Sequence, residues 1–223
     1  MTDLRNSPRS HLLRSAQALA AESPRLEFGP GPEIQSRGGG RIAPIESEPC
    51  GELHRSLRAA TRSDHDMVDR LMLRLDLSRR EDYGLFLHIH YSTFKNLDTH
   101  WREEDNADFA GMIDCLQNDI RALGVASSES SGRVSTALLV CNHLGVAYVI
   151  RGSRLGAAFL RRRVPREFPT SYLDFVPSLP WGQFLKQLEP APDDPKRNTS
   201  EETIQGARIT FEIFAALLKR ALA

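Results

Sequence analysis

The chain has 223 residues, of which 40% are hydrophobic and 26% are charged, so it carries enough apolar material for one sizeable core. Lysine plus arginine and aspartate plus glutamate each number 29, and this balance excludes a whole-chain field that would favour nucleic acid or an anionic membrane. Cys50, Cys115 and Cys141 are too few and too widely spaced for a disulfide framework or a zinc site, which favours a reducing cytoplasm.

Two further features of the sequence concern its location and its first 50 residues. No apolar run approaches the roughly 18 residues that span a bilayer, and the N-terminus lacks the apolar segment of a secretion signal. We therefore expect a cytoplasmic protein with no membrane insertion. Residues 1–50 are rich in Pro, Gly, Ser and Arg, a composition that predicts a flexible leader, with a helical domain at 51–223.

Apolar stripes at helical spacing predict the first three long helices. The first begins at Leu53 and the second follows a capping-box match at Ser78 and Glu81. Its stripe, at spacings of three and four, consists of Phe86, His90, Phe94, Leu97 and Trp101. The third helix runs from Phe109 to Leu123, where Gly124 is suited to a C-terminal cap.

The second half of the chain predicts one more long helix, a short one and a final long one. Residues 135–163 contain few helix breakers other than glycines, so we expect a single helix that bends near them. A proline-punctuated, irregular stretch follows, with a short helix at 184–188. Thr199 and Glu202 match a capping box that precedes a last helix through Leu222. No strand pattern is evident, and the expected fold class is all-α.

Arg58 and His65 form a candidate binding pair on the first helix. Seven residues correspond to a rotation of about 700°, so both side chains lie on nearly one face, about 10 Å apart along the axis. Such a pair suits a flat ligand with a central metal and a peripheral carboxylate, bound by imidazole and guanidinium respectively. The same spacing is also typical of an ordinary solvated helix face.

The stretch RGSRLGAAF, residues 151 to 159, places Gly152 and Gly156 four residues apart inside a predicted helix. Each interior glycine costs about 0.5–1 kcal/mol relative to alanine, so another requirement must favour a bare backbone. Residues at i and i+4 share a face, and two glycines there permit either the approach of a planar ring or a close crossing of two helices.

The segments LRAATRSDHDMVDRLM, residues 57 to 72, and LGVAYVIRGSRLGAAFL, residues 144 to 160, resemble the proximal and distal helices of bacterial heme oxygenases of the biliverdin-producing, iron-acquisition type. They occur in the family's order, and with the later helices the resemblance covers approximately residues 53 to 222. It implies a single all-α domain with heme held between the two helices.

The resemblance also implies roles for individual residues. His65 becomes the axial ligand of the iron, and Gly152, Ser153 and Gly156 become the distal residues at which the reaction takes place. The residues that contact the heme propionates would be Arg58 and Tyr148. Arg154 has no counterpart in the family's pattern, and its guanidinium group would either disturb the water network at bound dioxygen or reach a propionate instead.

The reaction implied by the resemblance cleaves heme with dioxygen and reducing electrons to biliverdin, carbon monoxide and ferrous iron, so heme is both substrate and cofactor. No glycine fingerprint for a nucleotide follows a strand pattern in this chain. The electrons would therefore come from an external reductase, such as a ferredoxin reductase. The basic run at 161–163 suits docking of an acidic partner, and it is equally suited to a helix end.

Arg151 and Arg154 depart from the family's pattern, which has an acidic residue at the first position and a small polar residue at the second. A guanidinium group in the distal site would disturb turnover more than heme binding. These residues motivate an alternative function, a non-catalytic protein of the same fold that binds, traffics or senses heme. A third alternative is a helical interaction domain in which His65 has no ligand.

Overall fold

The computed structural model describes residues 51–97, 106–125, 142–189 and 200–223, and these ranges contain helices and no strands. In chain order the α-helices are α1 (Glu52–Met72), α2 (Arg80–Leu97), α3 (Asn106–Leu123), α4 (His143–Ser153), α5 (Ala157–Arg161), α6 (Ser171–Asp174), α7 (Trp181–Leu188) and α8 (Ser200–Ala221), with a 3₁₀ turn at Arg154–Gly156 between α4 and α5. The all-α prediction is confirmed. The predicted leader at 1–50, Trp101, Thr199 and the stretch 135–141 lie outside the described residues.

The C-terminal helix α8 is the central element of the core. It packs against α1, α4 and α2, while α2 packs against α3 and α3 against α6. Its buried apolar side chains include Ile213, Phe214 and Leu218. Each such side chain contributes about 1.5–3 kcal/mol through removal from water. Because α1 and α4 both rest on α8, the two helices that carry the candidate site residues share one support.

Helices α4 and α8 cross with their backbones in direct contact. A Cβ on Gly145 would overlap the carbonyl oxygen of Thr203, and a Cβ on Gly206 would overlap that of Asn142. Asn142 also begins α4, since its side-chain oxygen accepts from the Leu144 amide at 2.8 Å. Glycines at 145 and 206 are therefore required by backbone contact.

The N-terminus of α1 is capped from a distant part of the chain. Glu189, which follows α7, accepts hydrogen bonds from the backbone amides of Leu53 at 3.3 Å and His54 at 3.2 Å. A carboxylate in this position satisfies two of the free amides and complements the helix dipole. This contact joins the start of α1 to the end of α7.

Most of the predicted helix boundaries are close to those observed, and four local features test the predictions in more detail. Gly124 has a φ of 67°, which confirms the predicted cap at the end of α3. The capping box at Ser78 is wrong, because its hydroxyl donates to Asp76 at 2.7 Å and α2 begins at Arg80. The helix at 181–188 begins three residues earlier than predicted, and α6 lies in a stretch that we expected to be irregular. No described helix is both long and apolar enough to cross a membrane.

Candidate functional site

The single helix predicted over 135–163 is interrupted near its glycines by the 3₁₀ turn that separates α4 from α5. It also begins later than predicted, at His143, because Asn142 is extended. The backbone at Gly156 has φ −82° and ψ −13°, values that any residue adopts. Neither Gly152 nor Gly156 contacts another backbone: a Cβ on Gly156 would meet nothing within 4 Å, and one on Gly152 would meet only the Trp181 ring, at 3.5 Å. A close helix crossing therefore does not explain these two glycines, in contrast to Gly145.

The same helix face is apolar and exposed. Leu155 and Phe159 lie at positions that complete the i, i+3, i+4, i+7 series begun by Gly152 and Gly156. Leu155 is 42% exposed and Phe159 is 57% exposed, and both belong to the few large apolar side chains that are exposed among the described residues. A bare backbone flanked by exposed apolar side chains forms a surface suited to a flat apolar ligand. We refer to these four residues as the glycine face.

Ser153 and Arg154 lie on other sides of the turn. The Ser153 hydroxyl donates to the carbonyl of Ile150 at 2.7 Å. Arg154 follows Gly152 by two residues, a rotation of about 200°, which places it opposite the glycine face. Its guanidinium group donates to three backbone carbonyls, those of Tyr172 at 2.8 Å, Leu173 at 3.0 Å and Phe175 at 3.4 Å.

Arg154 also lies over the ring of Tyr172, with its Cζ atom 4.6 Å from the ring centroid. These contacts engage the guanidinium group beneath the turn, on α6 and the residue after it. The contact of Arg154 with a heme propionate stays a prediction, and in the structure its guanidinium group lies on the side opposite the glycine face. Helical periodicity did not indicate α6, whose residues Tyr172 and Leu173 supply two of the three carbonyls.

Arg151 is buried in a separate cluster. Its guanidinium group lies 3.1 Å from the carboxylate of Asp108, and the two side chains are 4% and 7% exposed. The Arg151 Cζ atom also lies 5.7 Å from the centroid of the Phe109 ring and 5.6 Å from that of the Phe184 ring. This residue therefore joins α4 to the start of α3 and to α7. Its charge is compensated inside the protein, so it is not a free cation on the glycine face.

His65 projects from α1 with 51% of its side chain exposed. Its Nδ1 atom lies 3.1 Å from a carboxylate oxygen of Asp69, and its ring meets Phe211 of α8 edge-on, with 5.8 Å between centroids. The hydrogen bond with Asp69 raises the pKa of His65 above its ordinary value, although desolvation opposes this. When the ring is neutral and donates from Nδ1, the lone pair on Nε2 is directed away from Asp69 and can bind a ligand.

His54, a residue that sequence reasoning missed, contacts Tyr148 and is within electrostatic reach of Arg58. The rings of His54 and Tyr148 are 5.9 Å apart, and each lies about 6 Å from Trp181, at 6.1 and 5.6 Å respectively. Burial and then the neighbouring Arg58 charge lower the pKa of His54, while Glu189 raises it. This aromatic cluster joins α1, α4 and α7 beside Gly152.

One signal in the sequence indicates His54, its position on α1 relative to His65. His54 precedes His65 by eleven residues, which is about 1100° or close to three full turns, so the two histidines and Arg58 share one face of α1. Trp181 had no comparable signal, because its stretch has no helical periodicity. The described contacts link His65 to α8 and His54 to α4, so the two ends of this face have different neighbours.

Within the described part of the chain, no group of three or more His, Cys, Asp or Glu side chains could hold a metal ion. No protein-family model and no curated protein matches this chain in sequence. The structure is similar to that of a heme oxygenase from Leptospira interrogans, with a TM-score of 0.54 and 14% sequence identity over 76% of this chain and 100% of the other. At this identity the similarity shows a common heme-oxygenase-like fold.

Proposed function

We propose that this protein is a heme oxygenase, which holds heme between His65 and the glycine face and cleaves it to biliverdin, carbon monoxide and ferrous iron. The observation that carries the proposal is the glycine face itself. Two helical glycines are not required there by backbone conformation or by helix packing, and the apolar side chains beside them are exposed. The heme-oxygenase-like fold supports the same ligand.

The side chains on α1 fit heme. His65 would hold the heme iron through Nε2, because Asp69 holds Nδ1 and so fixes the orientation of the imidazole ring. Its partial exposure leaves room for a ligand, and the aromatic contact with Phe211 limits its rotation. One axial histidine is sufficient for heme iron, so a larger cluster of ligands is not needed.

The aromatic cluster supplies the groups that would bind the carboxylates of heme. Arg58 is exposed on the same face of α1 as His65, and a guanidinium group forms charge-assisted hydrogen bonds with a propionate. His54 is within electrostatic reach of Arg58 and contacts Tyr148, so these two residues can add a ring nitrogen and a hydroxyl group. Together the three polar side chains would hold the carboxylates of heme.

The residues of the distal turn would contribute mainly by leaving space. Heme, when bound, supplies the iron that activates dioxygen and the carbon ring that is opened, with electrons from an external reductase such as a ferredoxin reductase. A side chain at position 156 would occupy the volume next to the heme ring, whereas the hydrogen atom of Gly156 leaves that volume open. The Ser153 hydroxyl already donates to Ile150, and neither described arginine of the turn presents a free charge on this face.

The positions of Arg151 and Arg154 also affect the choice between catalysis and simple heme binding. Their departure from the family's pattern is the feature that favoured a non-catalytic protein. Because Arg151 pairs with Asp108 and Arg154 binds backbone carbonyls, neither departure places a guanidinium group where dioxygen would bind. We therefore favour the enzyme.

Spectroscopic titration with hemin tests the proposal. We expect one equivalent to bind with a shifted Soret band, and reductant with oxygen to convert it to a bilin. His65→Ala should change the Soret band, and added imidazole should restore it, because a small ligand can replace the missing ring without repairing any defect of folding. Arg70→Ala, an exposed change on the same helix, is the matched control. A His65→Ala complex with the native spectrum would contradict the assignment of the ligand.

A further inference from the structure

We propose that Trp181 sets the in-plane orientation of the bound tetrapyrrole and thereby selects the meso carbon that is attacked. This inference rests on the proposed function. It starts from the asymmetry of the glycine face: a Cβ on Gly152 would lie 3.5 and 3.8 Å from two carbons of the Trp181 ring, whereas one on Gly156 would meet nothing within 4 Å. The face is closed at one end and open at the other.

Neighbouring rings hold the indole in this position. Trp181 contacts His54 and Tyr148 on one side and the buried Phe184 on another, with 5.6 Å between the Trp181 and Phe184 centroids. Aromatic side chains packed at these distances have few alternative rotamers without loss of contact. The indole is therefore a stiff wall and not a side chain that moves aside when a ligand arrives.

The backbone next to Trp181 is fixed by the residue next to Gly152. Arg151 donates to the carbonyl of Leu179 at 3.3 Å, and its partner Asp108 accepts from the amide of Ser178 at 2.9 Å. The ion pair is buried and its guanidinium group lies within 6 Å of two ring centroids, so this connection is rigid. Arg151 is thus a positioning residue, which holds the start of α7 at a fixed distance from the glycine face.

A wall at one end matters because heme is not symmetric. One edge carries two propionates and the others carry methyl and vinyl groups, so the edge that fits beside an indole determines which meso carbon faces the open end at Gly156. The carboxylate-binding groups of the aromatic cluster adjoin the same wall. Trp181 would contact the ring edge directly and act as a specificity-determining residue.

Proton NMR of the ferric heme complex measures the orientation without any turnover. The ring methyl groups are shifted by the iron, and each in-plane orientation gives its own set of signals. The intensities of these sets give the populations of the in-plane orientations. We expect Trp181→Ala to change the population ratio of the two major orientations about two- to tenfold, the change that corresponds to loss of one aromatic contact. The ratio of bilin isomers after turnover should change in the same direction.

Two further variants make the result decisive. Trp181→Phe keeps a ring and is the safer variant for folding, and it should shift the ratio in the same direction by a smaller factor. Phe168→Ala removes a half-buried ring that packs on Tyr83, away from Gly152, and should leave the ratio unchanged. Methyl signals that are identical in wild type and both Trp181 variants would overturn this inference while leaving the proposed function intact. A wild-type protein that does not bind hemin would overturn both.

Discussion

Replacement of Gly156 by alanine separates the stability of the helix from the space that heme needs. The added Cβ would meet nothing within 4 Å, and the backbone is already in a conformation that alanine adopts. Removal of a helical glycine should therefore stabilise the protein without heme by about 0.5–1 kcal/mol. For a chain of this size, that change raises the melting temperature by about 1–4 °C.

The same methyl group should weaken heme binding. It would occupy the open volume beside the proposed ring plane, and overpacking of this kind costs about 1–3 kcal/mol. The expected loss of hemin affinity is about five- to hundredfold. Thermal melts of the heme-free protein and hemin titrations measure the two effects separately.

Gly182→Ala is the control for this experiment. Its Cβ would also meet nothing within 4 Å, and the residue is exposed on a different helix, α7. We expect a stability change of the same sign and an unchanged affinity for hemin. If Gly156→Ala binds hemin as tightly as the wild type, the ring does not lie against this face and the reasoning is refuted.

Two further predictions concern the scaffold. Gly145→Ala should destabilise the protein strongly, because its methyl group would overlap the backbone of α8. Chemical denaturation measures the effect, and a midpoint near that of the wild type would contradict the backbone contact between α4 and α8. Burial lowers the pKa of His90 to about 4, so this ring stays neutral in the folded protein while the unfolded chain takes up a proton below its ordinary value of 6.5. Stability should fall as the pH decreases between these values, by about 2 kcal/mol at pH 5, and His90→Gln should flatten this part of the curve. If the wild type and His90→Gln lose the same unfolding free energy between pH 7 and pH 5, the burial of His90 is contradicted.

Helical periodicity predicted most of the fold because each long helix buries one continuous stripe. Phe86, His90, Phe94 and Leu97 are all buried as their spacing indicates. The glycines near 152 also correctly marked a change of helix geometry. A stripe shows which side of a helix is covered, but it does not identify the element that covers it.

Because periodicity does not identify the covering element, the sequence did not predict the partners of the residues in the candidate site. Arg151 and Arg154 read as cations in the distal motif, but their partners Asp108 and Tyr172 are distant in sequence, and helical periodicity does not show which elements pack together. The same holds for Trp181, which reaches Gly152 only because α7 folds back onto α4. The proposed roles of His65, Arg58 and Tyr148 come from the family resemblance, and their test is experimental.

A single-turnover reaction of the hemin complex is the most direct test of the proposed activity. The complex is mixed with a reductant and oxygen in the presence of catalase, which removes free peroxide and with it non-enzymatic ring opening. We expect the Soret band to disappear as one equivalent each of bilin and carbon monoxide forms. A Soret band that persists, with intact heme recovered from the protein, would contradict the proposal that this chain cleaves heme.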